Sequence, residues 1–572
     1  MQDQSPIDSN ESEASGAAAH PSVRGASARV WDRNLLFFLI CLLGAGVVAA
    51  RILKPPAAPV VQGFDPSRFR DAAFADVVRD VDDALAAEWK RQELEPAPKA
   101  GDLAIARRAS LALAGVVPSL PEIRAMEAQP EDDRLQWWIS RLLEDRRSSD
   151  YLAERFARAY VGVENGPFLV YRRRRMVSWL SDQIQQNRAY DELVRSLITA
   201  EGNWTSSPEA NFLTVTIDQN DDSKGPDEVK LAARVTRAFL GVRLDCVQCH
   251  DDKFGDRWKQ QDFHQLASFF ARSEVQFTGV RDNEKIDYKF RYLKTPEEVV
   301  VPPIVPFNRE LLPEEGGLRE RLAAWVTHPE NLAFARATVN RLWTMMFNKP
   351  LVHPIDEVPL DGPWPPVMEI LAKDLVNHQF DLHRLIRVIA STCAFGLDSR
   401  AAEGQEPISE LHEHAFAAFP ITRLRPEQVA GGVIQASTLK TINADAHIIQ
   451  KMKRFFSQNN FVQRYGDAGE DEFNQAGGTI PQRLLLMNGE MVAEQIKPNP
   501  VMNASTRIGI VAPDDETAVE TAFLVTLTRR PTAEESAHFA AQLNGLKGDE
   551  RSERMSDLYW ALLNSTEFSW NH

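Results

Sequence analysis

Apolar residues return every three or four positions along most of the chain, the spacing that gives a helix one face to bury. The spacing runs through WWISRLLEDRRSSDYLAERFARAYV, MVSWLSDQIQQNRAYDELVRSLITA, DFHQLASFFA, LRERLAAWV, FARATVNRLWTMMF, VMEILAKDLV, DLHRLIRVIAS and DLYWALLN. It also predicts a helix over residues 226–249. There Pro226 suits a first helical position, Asp227 and Glu228 complement the N-terminal dipole, and Val229, Ala232, Val235, Phe239, Val242 and Cys246 make one stripe. Lys230, Arg234 and Arg237 fall on the other side. Only residues 275–307 read otherwise, where VQFTGV, YKFRYL and EEVVVPPIVPF are short strand-like pieces broken by prolines. The chain shows no fixed-period repeat.

Near the N-terminus the pattern becomes one continuous apolar run. Residues 35–50, LLFFLICLLGAGVVAA, carry no charge and span about 24 Å as a helix. Ile52 and Leu53 extend the run toward a ~30 Å hydrocarbon core if Arg51 and Lys54 snorkel outward. A single transmembrane anchor is the expectation. The long segment before the run disfavours a cleaved signal peptide, although Val48-Ala49-Ala50 is a tolerable cleavage site. The Ser/Ala/Glu-rich tail and the KPPAAPVV stretch that flank it disfavour a buried core helix. Arg24, Arg29 and Arg33 precede the span while Arg51 and Lys54 follow it, so the basic bias that orients membrane helices is slight.

The expected fold class is therefore mainly α, with two helical domains joined by a small β-containing, Pro-rich segment after one N-terminal transmembrane helix. In residue numbers this gives a disordered tail at 1–33, the anchor at 34–53, a linker at 54–70, a helical domain at 71–272, the connector at 273–316 and a second helical domain at 317–572.

Composition narrows the function. Hydrophobic residues make up 44% of the 572, which excludes wholesale disorder. Lys and Arg number 65 against 81 Asp and Glu, and the resulting charge of −16 argues against a general nucleic-acid binder, which needs a basic face, while leaving a local basic patch open. Four cysteines cannot build a disulfide framework. Cys41 lies in the apolar run and Cys393 stands alone, whereas Cys246 and Cys249 directly precede His250.

Cys246-Val247-Gln248-Cys249-His250 has the spacing of covalent c-type haem attachment. If the predicted helix reaches this far, residues 246, 249 and 250 share one of its faces. Both thiols then meet one porphyrin edge, and His250 is the proximal iron ligand. Three other uses stay open. A thioredoxin-like redox pair would open a helix rather than close one. A zinc site needs a fourth ligand and usually a second paired motif, and a structural CxxCH needs no cofactor at all. Haem c is attached outside the cytoplasm, so the motif and the membrane segment support each other. They place the bulk of the chain on the periplasmic or extracytoplasmic side of a cell membrane that it crosses once. A sixth iron ligand is less defined. His264 in DFHQLASFFA is a candidate distal ligand, although it adjoins the apolar residues Phe263, Leu266 and Phe270. Met176, Met487 and Met491 sit in apolar contexts that suit packing. The run Arg172-Arg173-Arg174-Arg175 suits either an anionic partner or a solvated face.

These residues resemble the secreted domain-of-unknown-function proteins of planctomycetes and verrucomicrobia, in which a cytochrome-like domain precedes a planctomycete-specific partner domain. FLGVRLDCVQCHDDKFGDRWKQQDFHQLASFF carries the likeness to the first, over roughly residues 70–272. RERLAAWVTHPENLAFARATVNRLWTMMFNKPLVHPIDE, RLRPEQVAGGVIQAS, RLLLMNGEMV and DLYWALLNSTEFSWNH carry it to the second, over about 317–567. The resemblance implies export, haem at Cys246, Cys249 and His250, and the company of polysaccharide-processing systems; a haem passing single electrons would in turn need an unknown redox partner. Relatives often have a second histidine where this chain has Asp252, an aromatic at position 264, and a Gly-Arg-Gly turn where it has Asn348-Lys349-Pro350. No stretch ahead of residue 70 resembles the small cytochrome module that often precedes the pair, so that module is not expected here. Asn340, Arg341, Trp343, His353 and Asp356 fall in the best-matched stretch of the second domain. Rather than the five lining a polar pocket, Asn340 and Arg341 are expected to fix the turn before Asp356 through buried hydrogen bonds.

Overall fold

In the computed structural model the described residues are 64–163, 166–167, 169–218, 225–252, 257–292, 297–442, 461–462, 464–465, 479–499 and 503–572, together with 35, 37–39 and 41–42. They are mainly helical, with three small two-stranded sheets. Two units separate, Met1–Pro59 with Asp445–Gln450 and Val60–Ala444 with Lys451–His572. In the first unit the described residues are helical, and Leu35, Phe37, Phe38, Leu39 and Leu42 are all exposed. The rest of the predicted anchor at 34–53, the tail at 1–33 and residues 54–63 of the linker lie outside the described residues. No helix among the described residues is long and apolar enough to cross a membrane.

The second unit holds two hydrophobic cores. The first is built from α1 (Ala72–Arg91), α2 (Asp102–Ala114), α3 (Leu120–Glu127), α4 (Arg134–Glu144), α5 (Arg146–Val161), α6 (Arg173–Gln185), α7 (Tyr190–Ile198), α8 (Glu228–Val235), α9 (Gln260–Ala267), α10 (Leu318–Val326), α11 (Leu332–Phe347), α12 (Pro366–Asn377) and α13 (Leu382–Ser391). In α1 the residues that face inward are Phe74, Val77, Val81, Leu85 and Trp89, spaced by three or four so that one face is buried. The strand-like pieces form where expected. β1 (Ser273–Gln276) pairs antiparallel with β2 (Gly279–Asp282), and β3 (Lys289–Phe290) with β4 (Val299–Val300). This stretch does not separate two cores, because α10, α11 and α12 from beyond it pack on α7, α2 and α1 from before it.

The second core gathers α14 (Pro426–Ala436), α15 (Ile480–Asn488), α16 (Ala504–Val511), α17 (Asp515–Leu527), α18 (Ala533–Leu543) and α19 (Gly548–Leu563). It closes with β5 (Thr422–Arg423) against β6 (Trp570–Asn571). Four residues of the N-terminal half belong to it, Leu111, Val117, Leu120 and Ile123. Helix α2 thus lies between the cores, and from Ile105 to Ala114 every residue of it is buried. Neighbouring arginines on α2 point to different cores. Arg107 donates to the carbonyls of Thr526 and Phe568, at 3.2 and 3.1 Å. Arg108 donates to those of Phe395 and Leu397, both at 2.7 Å, with its guanidinium 3.7 Å from the centre of the Phe419 ring. Asn348 ends α11 in the left-handed conformation, where it accepts from Arg425 Nη1 at 2.8 Å. Asparagine tolerates that conformation better than most residues.

Candidate functional site

The helix expected over 226–249 stops short of the motif. Asp227 caps α8 by accepting from the Lys230 amide at 2.9 Å. The chain then widens into a π-helical turn, Thr236–Leu240, and ends at Gly241 with φ 61°. A Cβ there would sit 3.2 Å from Val358 Cγ2 and 3.3 Å from Ala337 Cβ, so both the conformation and the close approach ask for glycine. The motif occupies a separate 3₁₀ turn, Asp245–Gln248, with Cys249 and His250 following it. Cys246, Cys249 and His250 therefore do not share the face of one α-helix.

What holds the turn is visible residue by residue. Val247 is buried in the first core, while Cys246, Gln248, Cys249 and His250 are exposed. The Gln248 carbonyl accepts from His264 Nε2 at 3.0 Å and from Gln260 Nε2 at 3.1 Å. The Gln260 amide donates to Asp251 Oδ1 at 3.0 Å, and the Asp252 amide to the Trp258 carbonyl at 2.9 Å. His250 Nδ1 lies 2.8 Å from the Asp251 carbonyl. A carbonyl only accepts, so Nδ1 carries the proton and the Nε2 lone pair is left for a metal.

His264, the candidate distal ligand, is 1% exposed and uses both ring nitrogens. Since Nε2–H donates to Gln248, Nδ1 accepts from the Tyr288 hydroxyl at 2.8 Å. The ring stacks on Phe290 with centroids 3.4 Å apart, and Tyr292 meets it edge-on. Burial holds its pKa below the usual histidine range, against the opposing effect of the Gln248 bond. An iron at either nitrogen would displace a protein partner.

Among the described residues no group of three or more His, Cys, Asp or Glu is placed to hold a metal ion. Cys246, Cys249 and His250 thus do not converge on one centre as a zinc site requires. Haem attachment asks for something else, two accessible thiols beside an imidazole with its outer nitrogen available. The described turn fits that donor set. Met176 and Met491 are buried in the first and second cores, and Met487 is half-buried in α15. In the arginine run, Arg173 makes a two-pronged ion pair with Glu154, both contacts at 2.8 Å.

The stems of the turn rest on the second helical segment. Arg237, from the π-turn, and Arg243 both donate to Asp356, Arg243 through Nε at 2.9 Å and Nη2 at 2.7 Å. Asp356 is 5% exposed. Burial alone would raise its pKa, but the hydrogen bonds from Arg243 and Arg237 hold it below the usual carboxylate range. The Val358 amide donates to the Gly241 carbonyl at 2.7 Å. Arg341 Nη2 donates to the Ala238 carbonyl at 3.3 Å, and Arg257 pairs with Asp361 at 2.9 Å. Asn340 fixes the loop that carries Asp356. Its amide donates to the Val352 carbonyl at 2.8 Å, and its oxygen accepts from the Val352 amide at 3.1 Å. Asn340 thus fixes the turn before Asp356, as expected, while Arg341 reaches the Ala238 carbonyl instead, Trp343 is buried and His353 is exposed.

Residues 80–275 match the family model PSCyt2, a protein of unknown function (DUF1549). Residues 318–468 match PSD1, a protein of unknown function (DUF1553). The chain carries the two in tandem. No curated protein and no solved structure matches it significantly. The motif belongs to the PSCyt2 segment, and Asn340, Arg341, Asp356 and Asp361 belong to the PSD1 segment.

Proposed function

We propose that the protein is an exported, membrane-anchored monohaem c-type protein that passes single electrons to or from a redox partner. Cys246 and Cys249 would hold haem c through thioether bonds, and His250 Nε2 would ligate its iron. When bound, the haem supplies a one-electron iron couple. The rest is the work of this chain. The Asp251 carbonyl selects the tautomer of His250, and a hydrogen bond at the far nitrogen is what orients and strengthens an imidazole ligand. Val247 anchors the turn from below while His264 and Gln260 hold its Gln248 carbonyl from the side. The observation that carries the reading is the pairing of exposed Cys246 and Cys249 with a His250 whose Nδ1 is already engaged by the backbone. The apolar run at 35–50 supplies the anchor, and attachment chemistry outside the cytoplasm sets the topology.

A second reading has one observation in its favour. The turn is fully braced by protein groups alone, which also suits a surface interaction module with a structural CxxCH. A pyridine haemochrome spectrum separates the two. Full-length protein made with haem-maturation machinery should give a haem c spectrum that survives denaturation, and the Cys246→Ala, Cys249→Ala double variant should lose it. Colourless wild-type protein from a competent host selects the second reading.

A further inference from the structure

The loop at residues 353–363 of the PSD1 segment touches the motif turn on both stems. Ahead of Cys246 it meets Arg237, Gly241 and Arg243 through Asp356 and Val358, and behind His250 it meets Arg257 through Asp361. Partners separated by 119 and 113 residues in sequence thus meet at one carboxylate. The two segments also pack along α1, α2 and α7, but the contacts of this loop gather on either side of the motif. The centre of the convergence is also the most buried part of it. Asp356 is 5% exposed, and Arg237 and Arg243 contact separate carboxylate oxygens. Without that carboxylate the two guanidiniums lose their shared acceptor, leaving the partly exposed Asp245 to offset part of their repulsion. The geometry upstream leaves little slack, since the π-turn, a rare element often found at functional positions, runs straight into the left-handed Gly241. Arg243 is three residues from Cys246, so a shift of Arg243 moves the first sulfur.

We infer that this loop is a collar that sets the position of the CxxCH turn, with Asp356 as its positioning residue, so that the PSCyt2 and PSD1 segments form one working unit. A lone PSCyt2 segment keeps Asp245 in the field of Arg237 and Arg243 but lacks the buried carboxylate that accepts from both. The inference deepens the haem reading, and only its redox consequence rests on that reading.

The test uses the full-length Asp356→Asn variant, which keeps the shape and removes the charge. Asp374→Asn serves as the control, because Asp374 makes an equivalent buried two-pronged pair with Arg384 in the same core, at 2.9 and 3.1 Å. In protein made without haem, amide hydrogen exchange over residues 242–250 should rise at least tenfold in Asp356→Asn and stay unchanged in Asp374→Asn. In haem-loaded protein, Asp356→Asn should shift the midpoint potential, Asp374→Asn should leave it in place, and Asp356→Glu should restore part of the shift. Arg243→Gln provides the same readouts if Asp356→Asn does not fold, since Arg243 is partly exposed. Equal responses to the Asp356 and Asp374 variants, or an unchanged motif in both, would overturn the collar. Protein that takes up no haem would end the haem reading, and the exchange measurement would still decide the collar.

Discussion

Replacing His264 with phenylalanine isolates one job in the site. The substitution keeps an aromatic ring to stack on Phe290, 3.4 Å away between centroids, and deletes two hydrogen bonds, 3.0 Å to Gln248 and 2.8 Å to Tyr288. Each such bond is worth about 1 kcal/mol net. Gln248 keeps its bond from Gln260 at 3.1 Å, so its carbonyl is weakened rather than orphaned. Phenylalanine is also easier to bury than imidazole, which offsets part of the loss. The remainder, roughly 1–2 kcal/mol, should favour opening of the turn by about 5- to 30-fold. Hydrogen exchange at the amides of Val247, Gln248 and Cys249 reads that change directly. The haem-loaded variant should keep the spin state of the wild type, because neither nitrogen of His264 is open to iron. Amides as protected as in wild type would refute the brace. A change from low-spin to high-spin iron would instead make His264 the distal ligand.

Three further outcomes are expected. Gly241→Ala should cost on the order of 1–2 kcal/mol in urea unfolding, from the left-handed φ of 61° and the crowding by Val358; an unchanged midpoint would mean the turn is pliable. Burial, with Arg387 adding to it, pushes the buried His383 from 6.5 down to about 4, while Asp381 acts the other way. The unfolded chain therefore takes up this proton first as pH falls, and roughly 3 kcal/mol present above pH ~6.5 should be lost on approaching pH 4. His383→Gln should flatten the stability profile in that window, and a profile of unchanged slope counts against it. Finally, the protein should stay with membranes after alkaline extraction while protease added to intact spheroplasts degrades the part after residue 54; complete protection would reverse the topology.

Much of the helical content was legible because burial and periodicity coincide. LRERLAAWV is α10 residue for residue, and FARATVNRLWTMMF lies within α11. Errors arose where two helices share an apolar stripe. The run over residues 137–161 is broken at Asp145, whose side chain caps α5 by accepting from the Arg147 amide at 2.8 Å. The run over 176–200 is broken at Asn187, with φ 50°. The extension of α8 to Cys249 failed for a related reason, since the stripe continues past Gly241 although the backbone turns there. At the site, Cys246, Cys249 and His250 declared themselves by local spacing. Asp356 stood out only through the resemblance, and its pairing with Arg237 and Arg243 was hidden, because those arginines are more than a hundred residues away and the packing of α11 beside the π-turn brings them together. The use of His264 to hold a backbone carbonyl was equally hidden, for sequence records a histidine but not its acceptor.

Helix α2 also sets a timetable. Arg107 is made early, yet its acceptors Thr526 and Phe568 come 419 and 461 residues later. At a synthesis rate of ~5–20 residues per second, that interval is roughly 20 to 90 s. Throughout it Leu111, Val117, Leu120 and Ile123 have no second core to enter, and a guanidinium destined for burial faces solvent or a chaperone. The growing chain is thus most vulnerable to aggregation and proteases along one flank of an otherwise foldable N-terminal half. Only when the turn around Phe568 has been made and packed is that flank sealed.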